Sequence, residues 1–166
     1  MNDLSNSPRP SCADFIVSAV RETRPPRKNI RPGRSTGKGI NFIYALAHEV
    51  PYSDEEFRHS IKQTIEVGAI LLVARVVVFK KTRRGLKRIC RRFQQLPEIP
   101  AGAPLDENSW SLNSDGQPVD PHKAKYYTHY WSPCLYVVAD GLPGRIAKNC
   151  GRGKAIVEKI LTQQST

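Results

Sequence analysis

The sequence predicts an α+β fold, because three amphipathic helical patterns precede one apolar run that is rich in β-branched residues. The helical patterns cover residues 11–21, 40–49 and 53–67, and the apolar run covers residues 69–79. A length of 166 residues suits one ordinary domain, and 39% apolar with 25% charged residues is a globular composition. We expect these elements to form a domain over residues 11–96 with a basic extension, followed by a small C-terminal region.

The first helix is predicted to begin at Ser11, because Ser11 and Asp14 have the S-x-x-D spacing whose side chains satisfy free backbone N–H groups. Five apolar residues then recur at helical spacing and form one stripe: Cys12, Phe15, Ile16, Ala19 and Val20. Residues 1–10, before this helix, are expected to be disordered. Residues 24–39 consist mostly of Arg, Lys, Pro and Gly, and they predict an exposed basic loop.

The third helix has the clearest local signals. Ser53 and Glu56 match a capping box, and Tyr52 and Phe57 occupy the two positions of a hydrophobic staple. Gly68 is well placed to end the helix. Polar residues make up the outer face of this helix: Glu55, Arg58, His59, Lys62, Gln63 and Glu66.

Residues 69–79 predict either one long strand or two strands that turn near Ala74 and Arg75. The segment 80–92 follows, with eight Lys or Arg among thirteen residues. The spacing of Leu86, Ile89 and Phe93 favours an amphipathic basic helix here, and an extended hairpin arm is the alternative. The same run also fits a nuclear localisation signal.

The remainder of the chain is predicted to contain a linker and a C-terminal region. Residues 97–121 are rich in Pro, Gly, Asp, Asn and Ser, which is typical of a linker. Residues 122–166 contain an aromatic cluster between Tyr126 and Tyr136, a predicted strand at 135–139 and a predicted helix at 155–163. The cluster is interpreted as a small core or a strand packed on the first domain; the alternative is a protein-binding patch.

The positive charge is unevenly distributed. The net charge of the chain is +11, and residues 1–96 hold 19 Lys and Arg against 8 Asp and Glu. Residues 97–166 hold seven of each sign and are neutral. One concentrated basic region indicates a polyanionic partner, and nucleic acid is the commonest. The first ten residues lack the apolar run of a secretory signal, so we expect an intracellular protein whose four cysteines are reduced.

The candidate chemical motifs are weak. Residues 33–39 lack both the spacing and the Ser or Thr after lysine that a phosphate-binding loop requires. His122, His129, Cys134 and Cys150 are suitable zinc ligands by type, but their spacing matches no known pattern. No convergent set of catalytic residues is recognisable. The sequence therefore predicts a binding protein without enzymatic activity, metal or cofactor.

Three helices followed by strands and a basic segment is the order of a winged helix-turn-helix. Ala13–Arg21, Ile40–Val50 and Ser53–Leu72 resemble the corresponding parts of the linker-histone globular domain. The arrangement is also similar to the winged helices of MOZ-type histone acetyltransferases and of SAM-domain chromatin repressors. The basic loop at 24–39 is longer than in these families, and the glycine-rich wing tip of linker histones is absent.

The resemblance implies a nuclear DNA-binding protein of chromatin or transcription, with residues 53–67 as the recognition helix and nucleosomal DNA among its targets. Base edges would be read from this helix by Arg58, His59, Lys62 and Gln63. Phosphates would be held by Arg27, Lys28, Arg31, Arg34, Lys38, Lys80, Lys81, Arg83 and Arg84. The alternatives are a protein-interaction adaptor in a chromatin complex, with residues 122–166 contacting the partner, and an RNA-binding protein.

Overall fold

The computed structural model describes residues 8–22, 37–140 and 146, and for residues 89–92 it describes the backbone alone. Three α-helices lie in this part of the chain: α1 (Cys12–Glu22), α2 (Ile40–Glu49) and α3 (Asp54–Glu66); a short 3-10 helix spans Val138–Asp140. Five strands accompany them: β1 (Lys38–Gly39), β2 (Ile70–Thr82), β3 (Gly85–Leu96), β4 (Ser109–Leu112) and β5 (Tyr126–Val137). The predicted α+β class is confirmed.

Both predicted helix starts are present. The Asp14 backbone N–H donates to Ser11 Oγ over 3.1 Å. At α3 the capping box is complete, because Glu56 N–H donates to Ser53 Oγ (3.1 Å) and Ser53 N–H donates to Glu56 Oε2 (2.8 Å). These bonds satisfy backbone donors that a helix start leaves free, and they fix where each helix begins.

The five strands form one antiparallel sheet in the order β1–β5–β2–β3, with β4 also paired to β5. β5 comes last in the sequence, yet it lies between β1 and β2. β2 is one continuous strand of 13 residues, so the alternative of two strands turning near Ala74 does not occur.

The prediction of a basic helix over residues 80–92 is wrong, because β2 continues to Thr82 and β3 runs from Gly85 to Leu96. The alternative, a hairpin arm, is what the structure contains. Val78 pairs with Cys90 and Phe79 pairs with Arg88, which leaves Ile89 as an extra residue. This bulge breaks the period-two alternation of β3, and the resulting apolar spacing imitates that of a helix.

The helices pack on one side of the sheet and build the main core around Ile16, Ile43, Phe57 and Leu72. The segment predicted as a linker contributes to the same core instead. The side chains that it buries there are those of Ile99, Ala103, Leu105, Trp110 and Leu112. Its Pro- and Gly-rich composition reflects turns between short packed stretches. Residues 97–121 therefore join the helices and the sheet into one packed unit.

The opposite side of the sheet carries a smaller cluster, formed by Leu71, Val73, Tyr136 and Ile146. We call this side the open face. Alternate residues of a strand point to the same side of a sheet, so the open face continues along β2 from Leu71 and Val73 through Arg75, Val77 and Phe79. Residues paired directly with these in the neighbouring strands point to the same side. The aromatic cluster predicted as a strand packed on the first domain does lie in a central strand, β5.

Candidate functional site

Charge is segregated between the two layers. The five strands contain no Asp or Glu, and their basic residues are Lys38, Arg75, Lys80, Lys81, Lys87, Arg88, Arg91 and Arg92. The three helices carry seven Asp and Glu against three Lys and Arg. The α3 helix itself has four acidic residues against two basic ones. The positive potential of the described chain therefore belongs to the sheet.

The strongest concentration of cations is the β2–β3 hairpin. Thr82 pairs with Gly85, so Arg83 and Arg84 form a two-residue loop. The Thr82 hydroxyl donates to the Gly85 carbonyl over 2.8 Å, and Gly85 has φ of 115°, which glycine adopts at no steric cost. Residues 81–88 are all exposed. The turn chemistry thus presents two adjacent guanidinium groups at the tip.

The hairpin cations have no acidic partner within the described ranges. The ion pairs found there join Arg9 to Glu56, Arg21 to Asp140 and Lys62 to Glu98, all outside the hairpin.

Lys80 and Lys81 sit at the base of the tip and contact the segment before β5. The Lys81 ammonium donates to the His122 carbonyl over 2.7 Å. Lys80 Nζ lies 5.4 Å from the centre of the Tyr126 ring, and Lys125 Nζ lies 5.9 Å from it. Hydrogen bonding to Lys80 and the positive charge of Lys80 and Lys125 lower the pKa of the Tyr126 hydroxyl.

The α3 residues predicted to read bases are placed differently. The Arg58 guanidinium donates to the Pro100 carbonyl (3.1 Å) and to the Ala103 carbonyl (2.5 Å). Lys62 Nζ lies 3.3 Å from Glu98 Oε2. Residues 98–103 therefore cover this part of α3, and they bound an open cavity of about 230 Å³ whose lining includes His59. Gln63 is exposed on the same helix.

The predicted phosphate contacts are brought together only in part. Lys80, Lys81, Arg83 and Arg84 all belong to the hairpin. Lys38 lies in β1 opposite Leu135, whereas Lys80 pairs with Tyr126 near the other end of β5. The remaining predicted contacts lie outside the described residues: Arg27, Lys28, Arg31 and Arg34.

A second group of side chains lies on the open face of β5. Two residues of β5, Ser132 and Pro133, face only Ala74 between the paired positions on either side, and Ser132 has φ of 42°. This bulge shifts the alternation and turns Trp131 and His129 to the open face.

Sequence reasoning does not find the open-face group, because the predicted domain boundary separates the aromatic cluster from the basic region. Tyr127, His129 and Trp131 stand at alternate positions, and that period of two is the signal that identifies one face of a strand.

His129 is held between two neighbours. Its Nδ1 lies 3.0 Å from Ser111 Oγ, and its ring meets the Trp131 ring edge to face with centroids 5.2 Å apart. Burial lowers the pKa of His129, so the neutral imidazole is favoured near pH 7. Beside it, Trp131 is 55% exposed. A neutral ring thus supports an exposed indole on a basic sheet.

Within the described ranges, no cluster of three or more His, Cys, Asp and Glu residues has the arrangement of a metal site. His122, His129 and Cys134 fall in those ranges, whereas Cys150 falls outside them. None of the helices in the described part of the chain is long and apolar enough to cross a membrane. Comparison with known proteins found no matching family model, no matching curated protein and no matching solved structure.

Proposed function

We propose that this protein binds duplex DNA through the β2–β3 hairpin. The observation that carries the proposal is the set of cations on the β2–β3 hairpin, which have no acidic partner among the described residues. Cations in this state gain most from neutralising phosphates, since binding releases condensed counterions and breaks no ion pair. The set comprises Lys80, Lys81, Arg83, Arg84, Lys87 and Arg88.

The shape of the hairpin favours a B-form duplex. β2 pairs with β5 as far as Lys80, which lies opposite Tyr126, and Thr82 lies two residues further on. The two-stranded ribbon therefore extends roughly 7 Å past this pairing at about 3.4 Å per residue, with the Arg83–Arg84 loop beyond it. The major groove of B-DNA admits such a ribbon, whereas the major groove of A-form RNA is deep and too narrow.

Within the winged-helix resemblance, the hairpin takes the place of the wing, because it is the strand pair that follows the third helix. A nuclear role in chromatin or transcription belongs to the same proposal. In this proposal α3 contributes less to DNA binding than the resemblance implies, since Arg58 and Lys62 already bind the segment 98–103. His59 and Gln63 are the exposed α3 side chains left for bases.

The experiment is a titration of labelled duplex DNA over a salt series with the double variant Arg83→Gln, Arg84→Gln. Each lost phosphate contact removes about 1 from the slope of log affinity against log salt, so we expect the slope to fall by about 2. The matched control is Arg9→Gln, Lys62→Gln, which removes the same charge from residues that pair with Glu56 and Glu98. The proposal fails if both variants change the slope equally, or if wild type binds RNA duplex better than DNA duplex.

A further inference from the structure

The open face of the sheet carries an aromatic surface that is separate from the hairpin tip. Trp131 is 55% exposed with the half-buried His129 ring beside it, and Phe79 is half-buried four residues along β2 from the Arg75–Trp131 pair. The Phe79 and Tyr127 rings are stacked with centroids 5.1 Å apart and an interplanar angle of 24°. An exposed indole held against the His129 ring offers a flat apolar surface at a fixed orientation.

The cations of this face alternate with its aromatic side chains. Arg75 pairs with Trp131 across β2 and β5, and Arg88 pairs with Phe79 across β2 and β3. Because paired positions share a face, Trp131 and Phe79 each have a guanidinium in an adjacent strand. The strands supply no carboxylate that competes for these groups.

The bulge at Ser132 is what creates this arrangement. Beyond it, Cys134 and Tyr136 face the small cluster with Ile146, and they leave no aromatic ring exposed there. On the other side of the bulge, the extra residue sets Trp131, His129 and Tyr127 on that same face. Bulges often re-aim a side chain at a binding site.

We infer that the open face binds unpaired nucleotides of a single-stranded nucleic acid, with a base stacked on Trp131 and phosphates held by Arg75 and Arg88. Stacking suits any base because every base has a π-face, and the adjacent guanidinium groups match the charge of the backbone. The positive charge selects this occupant over an apolar protein segment, which would leave both arginines unpaired. The inference goes beyond duplex binding by the hairpin and does not depend on it.

The test uses the full chain and a short labelled oligodeoxythymidine. Trp131→Ala is expected to weaken its binding roughly fivefold or more, the loss that removal of one stacked base produces. Trp131→Phe keeps an aromatic ring and is expected to retain most of the affinity. The matched control is Phe42→Ala, because Phe42 is 45% exposed but belongs to α2 on the other side of the sheet.

A second readout reports on Trp131 without a disruptive variant. The chain contains two tryptophans, and Trp110 is 1% exposed while Trp131 is 55% exposed. Addition of the oligonucleotide is expected to quench wild-type tryptophan emission, and Trp131→Phe is expected to abolish the quenching. Oligouridine, used in parallel, distinguishes RNA from DNA as the source of the unpaired nucleotides.

Three results would overturn the inference: no binding of either oligonucleotide, equal weakening by Trp131→Ala and Phe42→Ala, or unchanged emission on saturation. The double variant Arg83→Gln, Arg84→Gln separates this inference from duplex binding. It is expected to lose duplex affinity and to retain the Trp131-dependent quenching. If wild type does not bind duplex DNA but the oligonucleotide still quenches its tryptophan emission, the hairpin proposal is contradicted and this inference is not.

Discussion

At the scale of single residues, hydrogen-bond partners distinguish the two cations of α3, Arg58 and Lys62. Arg58 is half-buried, and its guanidinium donates to two carbonyl groups of the segment 98–103. Lys62, one turn further along α3, forms an ion pair with Glu98 in which both side chains are about half exposed. The hydrogen bonds of Arg58 use a charged donor in a partly buried site, whereas the ion pair of Lys62 is exposed to solvent. The two residues therefore differ in what they contribute to stability.

Arg58→Ala is expected to lower the free energy of unfolding by about 2 kcal/mol, because two carbonyl groups lose a charged donor. Lys62→Ala, the matched control, is expected to change it by less than about 1 kcal/mol, since exposed ion pairs contribute little. Urea unfolding measures both values. Duplex affinity is expected to stay unchanged in Arg58→Ala. A large loss of affinity without loss of stability would instead make Arg58 a base reader.

His129 predicts a pH dependence of stability. Burial lowers the pKa of the folded-state imidazole from its usual value of 6.5, so the unfolded chain binds a proton more readily. This group therefore stabilises the fold fully above pH 6.5, and that contribution is lost as the pH falls below it. The slope of unfolding free energy against pH just below 6.5 is expected to be smaller in His129→Gln. Urea unfolding at a series of pH values measures this slope, and equal slopes in wild type and His129→Gln would contradict the prediction.

At the scale of elements, the parts of the fold that could be predicted are those whose signals are local. The capping box at Ser53 and the stripe of α1 depend on residues three or four apart, so the sequence identifies both helices correctly. The β3 strand depends on its pairing with β2, and the bulge at Ile89 disrupts its alternation. The open-face site depends on a second bulge, at Ser132, and on strands more than 30 residues apart. A pattern within one short segment cannot predict which strands, so far apart in the sequence, become neighbours in the sheet.

At the scale of the whole molecule, the order of strands in the sheet differs from the order along the chain. β5 follows a segment of about 30 residues after β3, but it pairs with β1 and β2 in the middle of the sheet. The core that the helices form also contains buried side chains from β5 and β4, namely those of Leu135, Val137, Trp110 and Leu112. The basic and the neutral parts of the sequence meet near residue 96, but residues from both parts pack into the same core. The basic hairpin and the aromatic face consequently belong to one sheet.

A fragment of residues 1–96 tests this integration. It contains every α-helix of the described chain, but it lacks β4, β5 and large core side chains that include those of Trp110, Leu112, Leu135 and Val137. Burying each contributes about 1.5–3 kcal/mol, and together they match the total stability of about 5–15 kcal/mol of an ordinary domain. We expect the fragment to show no cooperative thermal transition, whereas the full chain shows one. Cooperative unfolding of the fragment with wild-type helix content would establish residues 11–96 as an independent domain, with β5 as an added strand.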